Sequence, residues 1–444
     1  MKTRSVKTSQ SITAVALLSL AAVSAQAEDD PFGDVFDSGF EEVRTDAPKQ
    51  QSLHLSHRLF TRGQWNLAHD KPPAGQTDHR GLSSLTTGWQ PRLEWRPSDA
   101  LEAVLDVRLE QDWIFALKPD ADWQDDYRDE RETRLDIEQA TFSYRSLRGA
   151  ASIGKQTLAW GFNDVLSVNE PVNPPQRSQP GLQDPDDALV PRWLSEGRYY
   201  IGDWTVQGAI ALDNAVAEQP VFGSDYYPGS AAIDDQTPDT PFEDPDTLSG
   251  GVRLSGLLLG ADVGAFIWRG FNSTGHIDNG RRQYERLTQV GGGLSVPVDP
   301  AVLKAELRWE DGLVFAGETT KRLAWTLGAD ITLPADSRLI VEHQSRYLPD
   351  YEAAMASIGD EFEQQWAIGL EHSRWNDRLT LKAMLLGFGN DLDQGQMMRT
   401  SAELEVSDHW QTEAGWVLYR DGDAALPSLA ADNDRLYWTV DYRF

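Results

Sequence analysis

The segment that decides the fold reads LKAELRWE and runs from residue 303 to residue 310. Apolar residues occupy every odd-numbered position in it, and charged residues occupy every even-numbered position. Because side chains of a β-strand point alternately to its two faces, this segment has one apolar and one charged face. Residues 101–110 and 322–332 alternate in the same way. The pattern predicts an all-β protein.

The connections between the predicted strands alternate between very short and long. Turns such as 97–100 and 297–300 are short, whereas polar stretches such as 160–189 and 213–247 are long. This layout is typical of Gram-negative outer-membrane barrels, whose periplasmic rim is tight. We therefore predict a transmembrane antiparallel β-barrel of about 18 strands with both termini periplasmic. The alternative is that residues 191–212 form one strand instead of two, which would leave an odd number.

The composition excludes several classes of protein. The 444 residues contain no cysteine, so disulfide scaffolds, cysteine-based zinc sites and cysteine nucleophiles are impossible. Acidic residues outnumber basic ones by 70 to 40, which argues against binding nucleic acid. A mean hydropathy of −0.49 excludes a helical membrane bundle but not a barrel, whose strands alternate. We expect no cofactor, and the acidic loops lack an ordered calcium-loop spacing, so we expect no metal.

The N-terminal residues predict export. Residues 1–27 contain basic residues, an apolar core and a final Ala25-Gln26-Ala27, as in a cleavable secretory signal peptide. Residues 28–50 are acidic and without a steady period, so we expect a flexible periplasmic segment. Residues 51–444 then form the barrel, and the predicted location is the Gram-negative outer membrane.

The last strand carries the most specific mark. Trp438, Val440, Tyr442 and Phe444 share one face, and the chain stops on an aromatic residue. This ending resembles the signal by which the barrel-assembly machinery recognises its substrates, which implies that machinery as a partner. Tryptophans near other strand ends are typical of anchoring at the headgroups, so membrane lipid and lipopolysaccharide are the expected surroundings.

If the apolar face meets lipid, the charged face lines the lumen. Eighteen strands enclose more space than side chains fill, so we expect a water-filled channel narrowed by loops. The alternative is a lumen closed by salt bridges and folded-in loops. Charges of both signs are interleaved along the wall and should nearly cancel. The predicted lumen-lining residues are Arg92, Glu94, Arg96, Asp106, Arg108, Lys304, Glu306, Arg308, Arg322, Asp330, Lys382, Arg399 and Glu403.

One segment carries a family resemblance. Its residues are Gly154, Lys155, Gln156, Trp160, Gly161 and Asp164, followed by Asn173 and Pro174. They match a pattern G-[KR]-Q-x-x-x-W-G-x-x-D…N-P and resemble a family of Gram-negative outer-membrane barrels often found beside RND-type exporters. More distantly the segment is similar to alginate-export barrels. The resemblance implies an RND-type export system as a partner, whereas a path for alginate would be predominantly basic.

The proline content of the loop that follows this motif indicates a constriction of the pore. Residues 161–193 contain six prolines, and a proline-stiffened loop loses little entropy when it is fixed. We expect it to hold a defined shape inside the pore; the alternative is a rigid loop that points outward.

We therefore predict a passive outer-membrane channel without enzymatic activity, either a porin-like conduit or the outer-membrane partner of an exporter. The alternative is a barrel enzyme that acts on lipid. His343 and Ser345 share the lipid-facing parity and resemble the catalytic pair of outer-membrane acyl hydrolases. Such chemistry needs a third residue to orient the histidine, and no clear one is found.

Overall fold

The structure is a computed structural model that describes residues 52–73, 75–183, 188–315, 317–352, 355, 359–424 and 430–444. The predicted signal peptide and the predicted segment 28–50 lie outside the described residues.

Eighteen antiparallel strands form one closed sheet, so the predicted all-β barrel and its strand number are confirmed. The first strand pairs with the last, for example Leu59 with Tyr442, and this pairing closes the ring. Residues 191–212 hold two wall strands rather than one. The wall strands are β1 Ser52–Asn66, β2 Gly81–Ser98, β3 Leu101–Asp112, β4 Thr133–Ser146, β5 Gly149–Gln156, β6 Arg192–Ile201, β7 Trp204–Ala211, β9 Ser249–Leu258, β10 Ala261–Phe271, β13 Arg286–Val298, β14 Ala301–Phe315, β15 Glu318–Leu333, β16 Ser337–Tyr347, β17 Phe362–Arg374, β18 Leu379–Phe388, β19 Gln396–Glu405, β20 Trp410–Arg420 and β21 Arg435–Arg443.

The two ends of the barrel differ as predicted. One end carries tight turns, and Ser52 and Phe444 lie at that end, which is the periplasmic one in outer-membrane barrels. The other end carries the long loops. Within them lie the helices α1 Ile114–Leu117 and α2 Asp125–Arg131 and a small sheet of β8 Asp234–Asp235, β11 His276–Asp278 and β12 Arg281–Gln283. Over the described ranges, no helix has the length and apolar character to cross a membrane.

The burial pattern of the wall is the reverse of that in a water-soluble protein. On β14 the Leu307 side chain is 52% exposed, whereas Glu306 is 3% and Glu310 is 1% exposed. Apolar side chains cover the outer surface, and charged side chains are enclosed by the barrel. Exposed apolar surface on this scale is unfavourable in water but favourable in a lipid bilayer. The outer face is therefore a lipid-facing face.

Aromatic residues are frequent on this outer face. Trp89, Trp95, Trp309, Trp410 and Trp416 are all exposed, and Trp438 is partly buried. Near the periplasmic end the ring of Tyr442 packs against Trp410 at 4.8 Å and Phe444 at 5.3 Å. Amphipathic rings in this cluster near the periplasmic end suit the boundary between headgroups and hydrocarbon.

Candidate functional site

The loop between β5 and β6, described over residues 157–183 and 188–191, lies inside the barrel over those residues. Its first part contacts β10 and β13 to β16, and a later part contacts β19 and β20. Trp160, only 1% exposed, packs its ring against Phe266 and Trp268 of β10 at 5.4 and 5.8 Å. The loop thus reaches from its own wall to strands on other sides of the lumen.

A wall carboxylate, Glu306 of β14, holds the first part of the loop by its backbone. Its Oε1 accepts hydrogen bonds from the amides of Phe162 at 2.5 Å and Asn163 at 2.8 Å. Its Oε2 accepts from the amides of Val168 at 2.8 Å and Asn169 at 3.1 Å. Hydrogen bonds from amides to an ionised carboxylate are stronger than neutral ones. One buried charge therefore closes residues 162–169 into a compact turn.

A second wall carboxylate, Glu342 of β16, holds the tip of the same turn. Its Oε1 accepts from the amide of Asp164 at 2.7 Å, and its Oε2 accepts from the amides of Val165 at 3.1 Å and Leu166 at 2.6 Å. The Leu166 carbonyl in turn accepts from Thr326 Oγ1 at 2.6 Å. Together the two carboxylates bind seven of the eight backbone amides of residues 162–169.

The aspartate of the sequence motif completes this contact. Asp164 lies 2.9 Å from Lys304 Nζ and 2.7 Å from Arg338 Nη2. Arg338 also pairs with Asp330 of the neighbouring strand, at 2.5 Å. The motif aspartate is thus tied to the wall on the side nearer the periplasmic turns.

The motif asparagine fastens the base of the loop. Asn173 Oδ1 accepts from the Leu158 amide at 2.8 Å, and its Nδ2 donates to the carbonyls of Gln156 at 3.2 Å and Val190 at 2.8 Å. The carbonyl of Pro174 accepts from the Val190 amide at 2.8 Å. These bonds join the beginning and the end of the loop where it leaves the wall.

The motif Trp160-Gly161 is held by an acidic residue of the loop itself. Glu170 accepts from the amides of Trp160 at 3.0 Å and Gly161 at 2.9 Å. A Cβ on Gly161 would lie 2.1 Å from Ser167 Oγ and 2.6 Å from Glu170 Oε1, so a larger residue would have to displace both side chains from their contacts. Burial and the nearby Glu306 outweigh these amides and Arg253, and they raise the pKa of Glu170 to about 7.

The motif residues Gly154 and Lys155 differ in role. Gly154 has a φ of +137°, and the Ala140 carbonyl lies 1.9 Å from where its Cβ would be, so a side chain is excluded. Lys155 pairs in register with Trp193, whose ring is 42% exposed on the outer face. The strand geometry therefore places Lys155 at an outward-facing position, away from the loop that it was predicted to serve.

The later part of the loop is held mainly through side chains. Leu182 packs against a cluster on β19 to β21 that includes Met397, Val417 and Tyr437. The Tyr419 hydroxyl donates to the Pro180 carbonyl, and Arg399 Nη1 donates to the Gln183 carbonyl at 2.9 Å.

A second long loop, between β7 and β9, is fastened by a buried ion pair. Asp225 lies 2.8 Å from Arg435 of β21, and both side chains are almost fully enclosed. Burial alone would raise the pKa of Asp225, but the Arg435 guanidinium and the His79 ring hold it well below its usual range. The Tyr226 and Tyr419 hydroxyl groups are 2.7 Å apart, so this loop shares an anchor with the β5–β6 loop.

The predicted lumen-lining residues form separate groups of ion pairs on the wall. On β2 and β3, Arg92 bonds Glu94 at 3.0 Å and Asp106 at 3.2 Å, and Arg96 bonds Glu94 at 3.1 Å. The remaining pairs are Arg108 with Glu138 at 3.3 Å, Arg308 and Arg322 with Glu310 at 3.2 and 2.6 Å, Lys382 with Glu403 at 3.1 Å, and Arg399 with Glu413 at 3.2 Å. The other three contact the loop or a residue that binds it. Lys304 pairs with Asp164, and Glu306 accepts amides of the loop. Asp330 pairs with Arg338, which also pairs with Asp164.

The pair His343 and Ser345 lies on the outer, lipid-facing face of β16. These residues alternate with Glu342 and Gln344, which both bind the loop. His343 Nε2 and Ser345 Oγ have no hydrogen-bond partner within the described residues, and the His343 ring packs against Trp366 at 4.3 Å. Nothing in this arrangement activates Ser345 as a nucleophile.

Glu342 and Glu170 hold the loop but were not singled out from the sequence. The alternation that places His343 outward also places Glu342 inward, so the sequence contained a signal for Glu342. Glu170 lies in an irregular loop, where no periodicity indicates a direction.

Comparisons with known proteins agree with this architecture. Acinetobacter baumannii OccAB4 is similar with a TM-score of 0.52 at 9% identity, over 90% of this chain and 100% of that chain. Acinetobacter baumannii OccAB3 gives 0.52 at 11%, over 89% and 99%, and Pseudomonas aeruginosa OccK3 gives 0.50 at 12%, over 88% and 95%. No protein family profile and no curated protein matches the sequence. The chain has the fold of Gram-negative outer-membrane barrels, and its lipid-facing surface belongs in that membrane.

Proposed function

We propose that the protein is a passive channel for small hydrophilic solutes and that the β5–β6 loop sets the width of its opening. The observation that carries this proposal is the fixation of residues 162–169 inside the barrel by Glu306 and Glu342. A loop bound by ionised carboxylates keeps a defined position, as a constriction requires. The polar inner wall supplies a path that water can wet.

Planar-bilayer recording tests the proposal. The folded protein should form ion-conducting pores in potassium chloride, and a variant lacking residues 165–185 should conduct more, because the narrowing segment is gone. A wild-type protein that inserts but does not conduct would overturn the channel. Equal conductance of the two proteins would overturn the constriction.

The resemblance of the motif supports a more specific role as the outer-membrane partner of an RND-type exporter. Three motif residues, Gly161, Asp164 and Asn173, help to fasten the inward loop, so this part of the motif fits a barrel whose function depends on that loop. Cross-linking in cells followed by purification tests the role: recovery of an RND-type complex would support it, and its absence would favour an independent porin.

Assembly and export form a separate proposal. The outward row Trp438, Val440, Tyr442 and Phe444 supports recognition by the barrel-assembly machinery, and deletion of Phe444 should lower the amount of folded, heat-modifiable protein. We also propose that residues 1–27 are a cleaved signal peptide, that residues 28–50 form a flexible periplasmic segment and that the barrel follows from residue 51. N-terminal sequencing of the mature protein tests the cleavage.

A further inference from the structure

The loop between β7 and β9 crosses the lumen near the end that carries the long loops. Its Asp225 pairs with Arg435, the first residue of β21. Its Tyr226 hydroxyl group lies 2.7 Å from that of Tyr419 on β20. In the closed ring of strands, β1 to β6 separate β7 from β21 on one side, and β10 to β19 separate β9 from β20 on the other. The loop therefore reaches from its own wall to the opposite wall, and we call its residues 221–226 the strap.

A histidine of the connection between β1 and β2 lies at the centre of the contacts that hold the strap. His79 is 8% exposed, and its Nε2 is 3.0 Å from the carbonyl oxygen of Gly223 in the strap. The His79 carbonyl accepts a hydrogen bond from Asn66 Nδ2 of β1 at 2.8 Å. The rings of Trp123 and Tyr127 enclose the imidazole, with centroids at 5.6 and 6.0 Å. The histidine thus joins the strap, the barrel wall and the helix α2.

These contacts determine the protonation state that fits at His79. A carbonyl oxygen only accepts hydrogen bonds, so Nε2 must carry the proton of the neutral ring. Nδ1 is buried and has no hydrogen-bond partner within the described residues. A second proton would therefore create a buried N–H group without an acceptor and add a positive charge, and both are unfavourable. The attached strap fits a neutral His79.

Charged and titratable groups face His79 from the strap, β21, α2 and the β1–β2 connection. Asp225 of the strap attracts a proton on the ring, but Arg435, bonded to the same carboxylate, opposes it. The His69 ring, whose centroid is 6.0 Å away, also disfavours a second positive charge. Tyr127 of α2 stays neutral, because burial raises its pKa. Burial, together with His69 and Arg435, lowers the pKa of His79 despite the attraction of Asp225 and of the carbonyl group.

We propose that the strap is an acid-released gate: protonation of His79 detaches residues 221–226 from the opposite wall and widens the lumen near its outer mouth. The gate rests on the proposed channel function and adds a mode of regulation to it. Detachment exposes the His79 ring to water, where both of its nitrogen atoms can be protonated without penalty. Because the detached form binds more protons, attachment is complete above about pH 6.5 and weakens as the pH falls below that value.

Thiol labelling of the folded protein in detergent at pH 5 and pH 7 tests the gate. The chain lacks cysteine, so Ser224→Cys places a single label in the strap. Arg145→Cys, at a periplasmic turn and 72% exposed, gives the reference rate that corrects for the ionisation of the thiol itself. The rate at Ser224→Cys relative to this reference should rise in acid, by up to about tenfold for each pH unit below about 6.5, because one proton is taken up.

Three histidine variants locate the group that responds to pH. His79→Gln keeps an N–H donor for the Gly223 carbonyl but takes up no second proton, so the relative labelling rate should no longer change with pH. His54→Gln, exposed at the periplasmic end, is the matched control and should keep the full pH dependence. His69→Gln should keep it as well. A dependence that disappears in His69→Gln but persists in His79→Gln would overturn the assignment to His79.

Asp225→Asn shows whether the label reports detachment. This variant loses the ion pair with Arg435 and should label faster at both pH values. Equal relative rates at pH 5 and pH 7 in the Ser224→Cys protein, together with faster labelling in Asp225→Asn, would overturn the gate.

Potassium chloride conductance, recorded in parallel, separates the gate from the channel. Acid should raise the conductance of the wild-type protein but not that of His79→Gln. A protein that conducts while its strap labels equally at both pH values retains the channel function and has no acid-released gate. A protein that does not conduct, but whose strap is released in acid through His79, has the pH-sensitive strap and is not a channel.

Discussion

The two parts of the β5–β6 loop are held by different chemistry. Residues 162–169 contribute backbone amides, and the wall contributes the ionised side chains of Glu306 and Glu342. Residues 179–183 contribute an apolar side chain, Leu182, and two carbonyl groups, and the wall contributes apolar residues and hydrogen-bond donors.

This difference determines where each part is sensitive to mutation. The docking of a segment held by its backbone depends little on the side chains of that segment and strongly on the wall carboxylates. The docking of a segment held by packing depends both on the wall and on the side chains of the segment itself. We expect the first part to be the more rigid one, because seven charge-assisted hydrogen bonds to amides exceed in strength one partly buried leucine and two hydrogen bonds to carbonyl groups.

The largest expected effect follows removal of a wall carboxylate. Glu306→Ala leaves four amides and Ser167 without their acceptor, which should cost about 3 kcal/mol or more of loop-docking free energy. We expect residues 162–169 to leave the wall and conductance to rise. Because the chain lacks cysteine, a Val165→Cys label reports the release by faster reaction with a thiol reagent.

Glu94→Ala is the matched control for this variant. Glu94 also faces the lumen, but it bonds Arg92 and Arg96 rather than the loop. Unchanged labelling in Glu306→Ala, or equal labelling in the two variants, would show that the wall carboxylate does not hold the loop.

A smaller effect is expected in the other part. Leu182→Ser removes apolar contact with the cluster around Met397 and should cost about 1–2 kcal/mol. A thiol label at Gln183→Cys should react faster, whereas the label at Val165→Cys should not change. Faster reaction at both positions would mean that the loop moves as one unit and that its two parts are not held independently.

Docking of the first part of the loop should depend on pH through Glu170. Glu170 has a pKa of about 7 with the loop in place, above the ordinary glutamate value that it has when the loop is released. Its contribution to docking is therefore fully present below that ordinary value and is lost as pH rises through about 7. Labelling of Val165→Cys should be faster at pH 8 than at pH 6, and Glu170→Gln should flatten this dependence. A steeper dependence in Glu170→Gln would contradict the assignment.

Much of the barrel could be predicted from the sequence, because alternation reports directly which face of a strand meets lipid. The strand number and the short-turn end follow from the lengths of the connections, whereas the sequence left open whether residues 191–212 form one strand or two. The path of the loop could not be predicted in the same way. Its first part is bound through amides, which every non-proline residue has, so its side chains carry no signal of the contact.

The charge balance of the lumen shows a second limit. Alternation indicates that Glu306, Arg308 and Glu310 face inward, but not which of them an irregular loop will occupy. The loop binds Glu306 through its backbone amides and brings Arg177 into the lumen. Which charged groups meet in the lumen therefore depends on the path of the loop as well as on the alternation along the wall.

The smallest effect is expected at Lys155, a residue of the sequence motif. Lys155→Ala should change neither conductance nor labelling of Val165→Cys, because its register partner Trp193 faces outward. Asn173→Ala removes three hydrogen bonds at the base of the same loop and should raise the labelling rate. Two motif residues 18 positions apart would then differ because one faces lipid and the other joins the ends of the loop. A Lys155→Ala variant with altered conductance would instead place that side chain in the channel path and require another strand register at Gly154.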